Sequence, residues 1–220
     1  MDCCSPSGSS DPAYERQFDA RHASDQLRAY RSGGPAPLTR RLIDALAEGG
    51  LEGRTVLDIG AGIGAVHLEL LRAGAERAVD VDFSSAYIEA ARGEAVQQGR
   101  ADQVRYVMGD FVAVADEIEP ADIVALDRVV CCYPDMVALV TRSAAHARHR
   151  YGLIFPRDTL FGRIGIAAFN LSQRLIRSSF RAYVHRPSEI DALVTASGMV
   201  VRVRSTNLLW QMAVYERALL

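Results

Sequence analysis

Lysine is absent from the 220 residues; every one of the 25 basic side chains is arginine. With no ε-amine there is no Schiff base to pyridoxal phosphate, no phosphate-loop lysine and no kinase-type lysine. Arginine stays protonated and cannot stand in as a base. An excess of one charge is also missing. The net charge of −2 carries no signature of a nucleic-acid binder. No apolar run approaches the ~18 residues that a membrane span needs. The opening MDCCSPSGSSDP lacks the apolar core of a signal peptide, so residues 1–12 are expected to be a disordered tail and the location cytoplasmic. Cysteine is scarce: four residues form two adjacent pairs, Cys3–Cys4 and Cys131–Cys132. That spacing matches no zinc site, so thiols and no bound metal are expected.

What is present is one α/β pattern. Hydrophobic residues make up 49% of the chain, enough for a single sizeable core. The motif TVLDIGAGIG at 55–64 runs an apolar strand into Asp58 and then Gly60, Gly62 and Gly64. Glycine at alternate positions lets the backbone turn sharply and approach a ligand closely. The helix opening at Ala65 aims its first N–H groups at whatever lies over the loop. RAVDVDFS at 77–84 reads as a second strand ending in Asp82, and VRYVMGDF at 104–111 as a third ending at Asp110 and Phe111. ADIVALDRVV at 121–130 reads as a fourth. Strand-end Asp58, Asp82 and Asp110 form a row of acceptors that repels a pyrophosphate. It suits a ligand with a cationic amino-acid end, a ribose and an adenine. An acid beside an aromatic suits the adenine amine and ring face.

This ordered set, LDIGAGIG, VDVDFS, MGDF and ADIVALDRVV, resembles the class I S-adenosylmethionine (SAM)-dependent methyltransferases over roughly residues 35–217. The resemblance implies a Rossmann-like, seven-stranded, mostly parallel sheet with an antiparallel last strand and helices on both faces. It implies SAM as the cofactor, held by Asp58, Gly60, Ala61, Gly62, Asp82, Phe83, Asp110, Phe111 and Asp127. Residues 13–220 are expected to form one domain. Helices are expected over 13–31, 35–49, 65–73, 85–98, 134–149 and 187–197. Strands are expected at 77–83, 104–109, 121–129, 151–155, 200–206 and 208–217. A fainter similarity to magnesium-protoporphyrin O-methyltransferases rests on LDRVVCCYPD, GLIFPRDTL and the arginine-rich segment that follows.

That segment, 157–186, holds six arginines and one acid, Asp158. Helical through 160–181, it would put Arg163, Arg174, Arg177 and Arg181 on one stripe and Leu160, Ile164, Leu171 and Leu175 on the next. It reads as a lid-like insert. A solvated basic edge, a substrate cap and a helix resting weakly on an anionic membrane remain open. Tyr14 and Phe18 on the first helix could close over the cofactor, though packing is the simpler account. The loop after strand four faces the transferred methyl, which makes Asp127, Tyr133 and, further on, His185 the candidate catalytic residues. His22, His67, His146 and His149 read as surface positions on helices. The substrate is expected to be a small or medium-sized molecule methylated at oxygen, with a carboxylate as one option. Three alternatives stand beside this: a module that binds SAM without turnover, an NAD(P)-dependent oxidoreductase using GAGIGA as its phosphate loop, and an arsenite or thiol methyltransferase using the paired cysteines.

Overall fold

A computed structural model describes residues 17–218. The expected disordered tail, Tyr14 and the Cys3–Cys4 pair therefore lie outside the described residues. Two helices precede the sheet. In α1 (Ala20–Gly33), Asp19 caps the first turn by accepting from the His22 N–H, and Gly34 ends it at φ 74°. In α2 (Pro37–Ala47), proline opens the first turn, where its missing N–H costs nothing. Then β1 (Thr55–Ile59), α3 (Ala65–Arg72), β2 (Arg77–Asp82), α4 (Ser85–Gln97), β3 (Val104–Met108), the one-turn α5 (Phe111–Val114) and β4 (Ala121–Asp127) alternate along the chain. They are followed by α6 (Met136–Ala145), β5 (Ala147–Pro156), α7 (Leu160–Leu175), α8 (Pro187–Ala196), β6 (Met199–Thr206) and β7 (Trp210–Arg217).

The strands lie side by side in the order β3-β2-β1-β4-β5-β7-β6. β1 to β5 are parallel, and β7 slips in antiparallel between β5 and β6. This is the seven-stranded Rossmann-like arrangement that the sequence implies. Alternate residues of β1 serve opposite faces. Leu57 and Ile59 join the core beneath α6 and α8, while Val56 joins the core beneath α2 and α3. Gly152 of β5 sits where a Cβ would lie 2.7 Å from Leu42 Cδ1, so α2 packs directly on backbone.

Three element boundaries differ clearly from expectation. The helix expected over 134–149 ends at Ala145, and the strand expected at 151–155 already starts at Ala147. The polar run ARHR hides a strand because its middle residues, Arg148 and His149, are exposed. Ala147 pairs with Ala121, and Arg150 with both Ile123 and Glu216. The helix expected through 160–181 stops at Leu175. Arg177 takes a left-handed φ of 57°, and the Ser178 N–H closes the end on the Gln173 carbonyl. Residues 178–186 continue as an extended strap.

Leu126 of β4 is fully buried between the two faces. Leu126→Ala should cost about 2–5 kcal/mol, read as a lower urea midpoint with an unchanged slope.

Candidate functional site

Because β1 to β5 are parallel, their carboxyl ends share one edge. Glycine shapes the first turn there. Gly60, Gly62 and Gly64 have φ of 62°, 57° and 79°, values that disfavour any side chain. A Cβ on Gly60 would lie 2.6 Å from Val129 Cγ2, and one on Gly64 would lie 2.7 Å from the His67 ring. Ala61 completes the loop, and the Gly64 N–H donates to its carbonyl.

Each carboxylate at this edge has a donor of its own. Asp82 Oδ2 accepts from the Gly62 N–H at 2.9 Å, and its Oδ1 accepts from the Ser84 N–H at 2.8 Å. This ties the tip of β2 to the glycine loop. Burial nevertheless raises the Asp82 carboxyl above its ordinary range, and Asp58 adds to the rise. Asp110 caps α5 by accepting from the Val112 N–H, and both of its oxygens lie 2.9 Å from the donating Tyr133 hydroxyl. Asp127 Oδ2 accepts from the Thr39 hydroxyl at 2.6 Å, and Arg128 Nη1 stands 3.6 Å from Oδ1. Burial raises this carboxyl too, and Arg128 and Thr39 oppose the shift.

Asp58 points inward. Its Oδ2 accepts from both the backbone N–H and the Nδ1 of His67, at 3.1 and 3.0 Å. His67 is completely buried, not the surface residue its helical position suggests. Burial alone would lower its pKa, but the hydrogen bond to Asp58 and the charges of Asp80 and Asp58 raise it overall. Asp80 is the missing member of this cluster. It pairs with Asp58 across the β1–β2 register, and neither of its oxygens finds a hydrogen-bond donor. Burial pushes its carboxyl up to about 8, with His67 pulling back and Asp58 and Asp82 pushing further. In the sequence, Asp80 looks like one more polar residue in VDVD; only the register reveals two carboxyls side by side over a histidine.

Phe111 lies just past the end of β3 with its ring in the core beside Leu57, Ile59 and Val81, 5.4 Å edge-on from His146. His146 itself is half-buried against the Arg142, Ala115 and Ile118 carbonyls. His149 lies on β5, and His22 is exposed as expected. Aromatic cover at the edge comes from Phe18. Its ring touches Phe83 and Phe180, each at 5.7 Å, and Tyr87 at 6.1 Å. Its carbonyl accepts from the Ser84 hydroxyl.

The loop after β4 and the strap after α7 zip together. The Tyr183 N–H donates to the Cys131 carbonyl at 2.7 Å, and His185 Nε2 meets the Val130 carbonyl at 3.1 Å. A carbonyl can only accept, so Nε2 carries the proton and the neutral ring keeps its lone pair on Nδ1. Burial lowers the His185 pKa and favours that neutral form. Arg128 adopts φ 63° and sets its guanidinium 5.4 Å from the Trp210 ring centre. The Cys131 and Cys132 sulfurs form no disulfide and lie 3.6 Å apart. Among the described residues no third ligand joins them.

Comparison with known proteins accords with this geometry. A family described as "Methyltransferase domain" matches residues 56–150. The chain is 31% identical over 167 residues to a ubiquinone biosynthesis O-methyltransferase of Alkalilimnicola ehrlichii, an alignment covering 70% of this chain and 64% of that protein. The chain therefore spans just under two thirds of that relative. A ribosomal protein L11 methyltransferase of Tolumonas auensis is 35% identical over 71 residues, covering 32% of this chain and 24% of that protein. Among solved structures, magnesium protoporphyrin IX methyltransferase from Synechocystis with SAH bound superposes with a TM-score of 0.71. It does so at 21% identity over 94% of this chain and all of that one.

A carboxyl raised to about 8 holds its proton more tightly in the fold than in the unfolded chain. Its contribution to stability is therefore greatest at low pH and declines as pH climbs from the usual carboxylate range to about 8. His67, also raised, contributes below its unfolded pKa and loses its share as pH rises through the folded value. Asp80→Asn should therefore stabilise the protein relative to wild type increasingly from pH 5 to pH 8, read from urea midpoints.

Proposed function

We propose that this chain transfers a methyl group from SAM to an oxygen of a small or medium-sized, largely apolar molecule, with a carboxylate as the acceptor group; the methyltransferase-domain match over residues 56–150 and the fold support this reading. The fit to SAM rests on the edge itself. Left-handed Gly60 and Gly62 keep the turn bare of side chains, and at Gly60 a Cβ would collide with Val129, so the backbone amides of the loop are left uncovered for a ligand. The amino group, ribose hydroxyls and adenine amine of SAM are donors that match a row of carboxylates. Asp58 with Gly60, Ala61 and Gly62 would serve the amino-acid end, Asp82 beside Phe83 the ribose, and Asp110 the adenine amine. Carboxylate oxygens accept more than one bond each, so the present donors leave capacity on Asp82 and Asp110. When bound, SAM supplies a methyl already made electrophilic by its sulfonium.

The state of the acceptor side carries the choice of a carboxylate. The Tyr133 hydroxyl is donated to Asp110, Asp127 is held by Thr39 and Arg128, and the Cys131 sulfur donates to the Arg128 carbonyl. These groups are spoken for. A carboxylate needs no proton removed before it attacks, and Arg128, fixed at the end of β4, offers a cation to meet it. The apolar side chains around the loop exclude water from the in-line approach. Methylation at oxygen agrees with the activity for which the similar ubiquinone biosynthesis O-methyltransferase is named. The methyltransferase-domain match over residues 56–150 favours this reading over a nicotinamide-dependent one.

A second acceptor class is favoured by one observation: neutral His185, with its lone pair on Nδ1, is the one imidazole beside the β4 loop, and a phenol would need such a base. The two readings separate cleanly. Incubation with methyl-labelled SAM and a panel of aromatic carboxylates and phenols should yield alkali-labile methyl esters. With a carboxylate acceptor, His185→Gln should keep kcat within about threefold; with a phenol it should lose roughly 10²–10⁴. Label found only in phenol ethers would overturn the carboxylate assignment. Asp82→Ala should weaken SAH binding about ten- to a hundredfold by calorimetry, since charge-assisted hydrogen bonds contribute ~1.5–3 kcal/mol.

A further inference from the structure

The 16-residue helix α7 turns its apolar side the wrong way for a globular protein. At about 100° per residue, Leu160, Ile164, Leu171 and Leu175 fall on one stripe. With Phe161 beside them, they are between 57% and 86% exposed. The contacts that hold α7 to the domain come from the other side. Gln173 is its one buried residue, Asn170 exchanges two hydrogen bonds with Ala182, and Phe169 meets the Phe180 ring. A surface helix normally does the reverse.

Two further features sit with this stripe. The tip of the β6–β7 hairpin presents exposed Leu208 and Leu209. It is tied to the root of α7, where the Arg157 N–H donates to the Leu209 carbonyl and the Arg157 guanidinium to the Asn207 carbonyl. Along the flank of the stripe run Arg163 and Arg174, with Arg177 just past the helix end. The one acid of 157–186 outside α8, Asp158, is already paired with Arg163 at 2.5 Å. Arg174 and Arg177 have no carboxylate partner among the described residues.

We propose that α7 and the Leu208–Leu209 tip dock on the surface of an anionic lipid bilayer. The leucines, Ile164 and Phe161 would enter the acyl boundary, and Arg174 and Arg177 would meet lipid phosphates. A row of free cations beside exposed apolar residues is the composition that binds in the interface plane. The same cations argue against a second copy of this chain as occupant, because two such faces would bring arginine onto arginine. This goes beyond the methyl-transfer reading and stands without it.

Flotation with vesicles of phosphatidylglycerol and phosphatidylcholine in equal parts, against phosphatidylcholine alone, tests it. The protein should float with the mixed vesicles, several-fold less with the neutral ones, and less as salt rises. Ile164→Asp with Leu171→Asp should reduce binding at least tenfold, and Arg174→Gln or Arg177→Gln about fivefold each. SAH affinity should stay unchanged in all of them. No flotation of wild type, or equal flotation of wild type and the Asp variant, overturns the proposal. So does a wild-type dimer in light scattering that Leu171→Asp converts to monomer, because the face then belongs to a second copy.

Discussion

Like charges brought together by parallel pairing are the constraint around which this molecule is arranged. The β1–β2 register sets Asp58 beside Asp80, and the common strand polarity adds Asp82 and Asp127 to the same edge. Burial, with the neighbouring carboxylates adding to it, lifts the carboxyls of Asp80, Asp82 and Asp127 above their ordinary range. The surroundings answer with donors: His67, the Gly62 and Ser84 amides, Thr39 and Arg128. In the proposed function, a positively charged nucleoside over this edge would relieve the same repulsion.

The acceptor half obeys a different logic. Polar side chains there are paired among themselves, Tyr133 with Asp110 and Asp127 with Thr39, and the strap through Tyr183 and His185 is bonded to the carbonyls of the β4 loop. What remains for a substrate is apolar surface, a fixed arginine and one neutral imidazole. An enzyme whose cofactor already carries the activated group can afford this economy, because positioning and dryness do most of what is required.

The order of elements was legible because punctuation and periodicity agree. Glycines close β1, acids end β2 and β4, and apolar runs of strand length alternate with helical ones. His67 and Asp80 were misjudged or overlooked for one common reason. Their roles depend on what lies across the sheet, and local spacing holds no record of that. The start of β5 was hidden by arginine and histidine, whose exposed strand positions read like a helix end. The early stop of α7 follows from Arg177 entering the left-handed region, which no residue preference near it announces.

The ring of Phe18 has a kinetic implication. It rests on Phe83 and Tyr87 on one side and on Phe180 of the strap on the other, and the Ser84 hydroxyl bonds the same residue's carbonyl. One side chain thus clasps the nucleoside half of the edge to the acceptor half. Under the proposed methyl transfer, a nucleoside entering or leaving this edge would have to part that contact, which would couple its exchange to movement of the strap.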